Sequence, residues 1–89
     1  MANTQKIILS DEWIEIGPDN SEGFMTIEST QSSILYRESD SLPAPSVNDG
    51  HTLNTSDGTY SFVSWALELG QKVYAKSVHG DSTIQVTLK

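Results

Sequence analysis

Apolar residues in this chain recur mainly at every second position, in short runs cut by Gly, Pro, Asn and Asp. That period puts successive side chains on opposite faces of an extended strand, so one face is buried and the other wet. Ile14-Glu15-Ile16 alternates apolar and acidic before the turn signal Gly17-Pro18-Asp19-Asn20, and Phe24 to Ile27 resumes the extended pattern after Gly23. In SSILYRES, Ile34 and Tyr36 point one way and Leu35 and Arg37 the other, which predicts a strand. SLPAPSVNDG, Ser41 to Gly50, carries two prolines that remove ladder donors, so it reads as a loop or edge segment. His51 to Leu53 is expected to pair briefly before a turn at Asn54 to Gly58.

SFVSWALELG can be read two ways. Phe62, Trp65, Ala66 and Leu69 have helical spacing and Gly70 would close a helix, but ten residues make a marginal helix and Phe-Val-Ser-Trp favours a strand. The strand reading, Tyr60 to Trp65 with Ala66 to Leu69 as its end or a turn, is preferred. At the end of the chain, Val73, Ala75 and Ser77 alternate with Tyr74 and Lys76. After His79-Gly80-Asp81, Ile84, Val86 and Leu88 alternate with Thr83, Gln85 and Thr87. This predicts a closing β-hairpin with Tyr74, Lys76, Gln85 and Thr87 on its outward face. About seven short strands separated by turns predict an all-β fold, a small antiparallel β-sandwich or barrel.

Composition narrows the reading. Eighty-nine residues suffice for one domain, taken as 1–89, with residues 1–9 as an extended arm or edge strand led by Ile7, Ile8 and Leu9. Without cysteine, disulfides, thiolate zinc sites and cysteine nucleophiles are excluded. No run approaches the roughly 18 to 20 apolar residues of a membrane helix. The first residues lack the pattern of a signal peptide, so a soluble protein made in the cytoplasm is expected. The formal charge of −7 opposes binding to nucleic acid or anionic lipid. It is unevenly spread: Asp11 to Asp40 holds eight carboxylates and one base, whereas Ser41 to Lys89 holds four acids and three lysines.

Candidate chemistry is sparse. His51 and His79 stand beside glycine in turn sequences, with no clustered ligand set. Asp19, Asn20, Glu22, Asn48 and Asp49 carry oxygen donors but do not form a calcium loop. No nucleophile elbow or phosphate loop is present, so neither catalysis nor a cofactor or metal is expected. Among the aromatics, Trp65 and Phe62 are assigned to the core, and Trp13, set among Asp11, Glu12 and Glu15, is a candidate exposed anchor.

ILYRESDSLPAPSVNDGHTL followed by LGQKVYAKSVHGDSTIQVTL, about Ile34 to Leu88, resembles small accessory structural proteins of tailed bacteriophages. The shared features are an S-x-P loop, a Gly-His-x-Leu return and a Tyr-Ala-Lys-Ser strand that leads through a Gly turn into an alternating Thr/Val strand. The resemblance implies a non-catalytic virion protein, made in the host cytoplasm, that decorates heads or joins head, tail or fibre. Its partners would be copies of itself, often as trimers or larger rings, and other virion proteins. Trp13, Lys72, Tyr74, Lys76, Gln85 and Thr87 are the expected contact residues. The alternatives are a carbohydrate-binding module that stacks sugars on Trp13 and Tyr74, and a small host-directed phage binding protein.

Overall fold

The computed structural model describes residues 3–27, 33–44, 46–54, 62–78 and 80–89, with the backbone alone at 54 and 62. The expected turn at 55–58, Tyr60 and His79 lie outside the described residues. Eight strands follow one another: β1 (Asn3–Leu9), β2 (Ile14–Gly17), β3 (Glu22–Ile27), β4 (Ser33–Ser39), β5 (His51–Asn54), β6 (Phe62–Ala66), β7 (Lys72–Ser77) and β8 (Ser82–Leu88). They form two four-stranded antiparallel sheets, β1-β8-β3-β6 and β2-β7-β4-β5. Every connection except β4 to β5 passes from one sheet to the other. That interleaving of eight strands is the jelly-roll arrangement of a β-sandwich. Each sheet keeps two open edges, so the barrel alternative does not apply.

The period-2 pattern accounts for the core. Met25 and Ile27 of β3, Ile84 and Val86 of β8, Ile34 of β4 and Val73 and Ala75 of β7 point between the sheets and are buried, with Leu9 and Ile16. Full burial of an aliphatic side chain contributes roughly 1.5–3 kcal/mol, so these few residues supply most of the cohesion between the layers. The hydroxyls of Ser77 and Ser82, 3.0 Å apart and buried, link β7 of one sheet to β8 of the other. The end of β6 and the residues after it are settled by the same period: Trp65 and Leu67 are buried, Ala66 between them is exposed, and Leu69 is 82% exposed. The helical spacing was a coincidence of composition.

The N-terminal segment pairs within its own sheet, from Asn3↔Leu88 to Leu9↔Ser82, and forms an edge. The expected closing hairpin is corrected. β7 pairs with β2 and β4, β8 pairs with β1 and β3, and the two strands lie in different sheets. Alternation reveals which face of a strand is buried but not its partner. A short turn reaches a stacked sheet about 10 Å away as readily as an adjacent strand, and Gly80, at φ 62°, takes the left-handed conformation this turn requires.

Candidate functional site

Because β7 and β8 belong to different sheets, the six expected contact residues divide between opposite faces of the sandwich. Trp13, Lys72, Tyr74 and Lys76 lie on the outer side of β2-β7-β4-β5, while Gln85 and Thr87 lie on the outer side of β1-β8-β3-β6. The two faces are finished differently.

The β2-β7-β4-β5 face carries its own cover. Within residues 40–50, the connection from β4 to β5, the stretch 46–50 folds back across it. The Trp13 indole N–H donates to the Val47 carbonyl at 2.9 Å, and the Lys76 ammonium donates to the same carbonyl at 2.8 Å and to Asn48 Oδ1 at 2.7 Å. Arg37 donates to the Asp49 carbonyl at 3.3 Å, and the Lys76 nitrogen stands 5.0 Å from the centre of the Trp13 ring. Beneath this strap Trp13, Leu35 and Tyr74 form a second small apolar cluster. Gly50 lets the strap turn back into β5, since a Cβ there would stand 2.8 Å from the Tyr36 carbonyl oxygen.

The exposure expected of three residues is therefore corrected. Trp13, Tyr74 and Lys76 are each at most 5% exposed. Their flanking charges remain in solvent, but the strap takes their side chains out of it. Only Lys72 of this group stays accessible, and it pairs with Glu15 at 3.7 Å. Beside the strap a cleft of about 530 Å³ is lined by Asp11, Ser33, Leu35, Asn48, Thr52 and Lys76, among others. Its charges are mixed and the Lys76 ammonium already points at strap oxygens, so it presents no concentrated charge.

The β1-β8-β3-β6 face is broad and short of charge. Across its four strands run a row of Thr4, Thr87, Phe24 and Ser64 and a row of Lys6, Gln85 and Thr26. Thr4 and Thr87 join their hydroxyls at 2.6 Å. Gln85 and Thr87 are half-buried at its middle, and Ile8 on the edge strand is 63% exposed.

Family models, curated proteins and solved structures give no match to the chain.

Among the described residues, no three His, Asp or Glu side chains converge on one point. Asp19 instead accepts a hydrogen bond from the Gly70 N–H, tying two turns together, while Asn48 and Asp49 hold the strap. The groups that assemble the site and escaped sequence reasoning are Val47 and Leu35. A carbonyl acceptor leaves no mark in sequence. The available signal was length: eleven residues far exceed the usual 2–5 of a hairpin loop, and such a connection needs a surface to pack on.

Proposed function

We propose that this chain is a non-catalytic structural protein of a tailed-bacteriophage virion, present in several copies as a head decoration or as a head-to-tail or fibre adaptor. The strand order carries the reading: an eight-stranded jelly roll is the architecture of viral capsid domains. The chain's resemblance to accessory virion proteins supports it, as does a low-charge sheet face suited to contact. Lectins also use jelly rolls. The carbohydrate alternative, however, depended on Trp13 and Tyr74 as stacking platforms, and both lie under the strap.

Contacts of modest size suffice for such a protein, because a symmetric particle engages many copies at once and converts weak pairwise affinity into firm attachment. Purified chain mixed with particles that lack it is expected to band with them on a density gradient. A chain that stays at the top of the gradient, with its fold intact, overturns the proposal.

A further inference from the structure

We infer that the outer face of the β1-β8-β3-β6 sheet is a contact surface between two copies of this chain. The inference deepens the assembly reading and rests on it, naming the self-contact that such a protein would use.

Charge selects the face. Two chains of net charge −7 repel, and at physiological salt that repulsion is decided by charges within about 8 Å of the approaching surfaces. Asp11 and Glu12 lie before β2, Glu15 on β2, Asp19 in the following turn, and Asp40 and Asp49 in the strap. Glu68 follows β6 and Asp81 precedes β8 at the ends of the β1-β8-β3-β6 sheet, and within its strands, among the described residues, Glu22 is the sole acid. It sits at the rim, where Lys89 approaches to 3.9 Å. The interior rows hold one charge, Lys6, among threonine, serine, glutamine, Phe24 and Ile8. Interface cores show the same depletion of charge around an aromatic residue.

Area sets the strength. Four strands about 4.8 Å apart and about 20 Å long offer roughly 400 Å² per copy. A face-to-face pair thus falls below the roughly 1,600 Å² total of a standard interface. The pair forms with concentration in solution and becomes firm where copies are arrayed. An isologous contact centred on β8 and β3 brings Gln85 and Thr87 near their own counterparts across the two-fold axis.

Sedimentation velocity of the full chain over a concentration series tests this. The parent's average mass should climb from one chain toward two. Gln85→Glu, nearly isosteric, places like charges across the axis and should weaken association roughly tenfold or more. Lys6→Glu, at an exposed position of the same face, should do so as well. Lys72→Glu, on the opposite face, should associate like the parent. A parent that stays at one chain overturns the inference, as does undiminished association in both Gln85→Glu and Lys6→Glu, or its loss in Lys72→Glu alone. A monomeric parent that still bands with virions removes this contact and leaves the virion reading standing. A parent that pairs but ignores virions supports the contact and removes the virion reading.

Discussion

The Lys76 ammonium lies 5.0 Å from the centre of the Trp13 ring, and both side chains donate to the Val47 carbonyl. A buried charge on a sheet face is thereby solvated by an aromatic face and two strap oxygens, and the strap is held closed. Hydrogen bonds from a charged donor are worth about 1.5–3 kcal/mol each, and their loss leaves the acceptors unsatisfied. Lys76→Met should lower stability by about 2–3 kcal/mol, read from the urea midpoint. The Trp13 indole N–H resonance should move with it. An unmoved midpoint would show that the strap closes without this lysine.

The two lysines of β7 should behave differently. Lys72 pairs with Glu15 at 3.7 Å in partial contact with solvent, where ion pairs contribute at most about 1 kcal/mol. Lys72→Glu is therefore expected to leave the urea midpoint nearly unchanged. Lys76→Glu puts a carboxylate against the Val47 carbonyl and should open the strap, detected as protease cleavage within residues 40–50. Equal behaviour of the two variants would contradict the burial of Lys76.

Gly23 is fixed by a neighbour that cannot give way. A Cβ on it would stand 2.5 Å from the Thr87 carbonyl oxygen, on the strand paired with it, and 3.2 Å from the Trp65 ring. Overpacking of this kind typically costs about 1–3 kcal/mol, and a backbone obstacle places Gly23→Ala at the upper end. Thermal unfolding of the variant provides the check, and a transition at the parent's temperature would contradict the packing described.

The two apolar clusters should differ in how they tolerate truncation. Ile84 is fully buried between the sheets, whereas Leu35 lies under a strap that can settle onto a smaller side chain. Large-to-small substitutions in cores cost about 2–5 kcal/mol. Ile84→Ala should fall in the upper half of that range and Leu35→Ala at its lower end. Denaturant titration of both reports the difference, and a larger loss for Leu35→Ala would reverse the assignment of the main core.

What the sequence discloses is local. The alternation of Ile84, Val86 and Leu88 with Thr83, Gln85 and Thr87 states which side of β8 faces inward, and the structure agrees. The partner of β8 is not encoded nearby, because Asn3 pairs with Leu88 across almost the whole chain. The hairpin expectation failed at that point. Lys76 failed for a related reason: a lysine between alanine and serine on a strand reads as solvent-facing, and nothing close in sequence announces a cover supplied by Val47 and Asn48. Trp13 was misread through its charged neighbours, since Asp11, Glu12 and Glu15 remain outside while the indole turns under the strap. Gln85 and Thr87 do face outward as expected, but not beside Tyr74 and Lys76 on one hairpin face: the structure puts them on the opposite side of the sandwich.

The most direct measurement of the virion proposal is the number of copies of this chain in purified phage particles, determined by quantitative mass spectrometry against the major structural proteins. A fixed copy number per particle, matching a symmetry of the head, neck or tail, is expected. A chain abundant in the infected lysate and absent from gradient-purified particles would contradict the proposal.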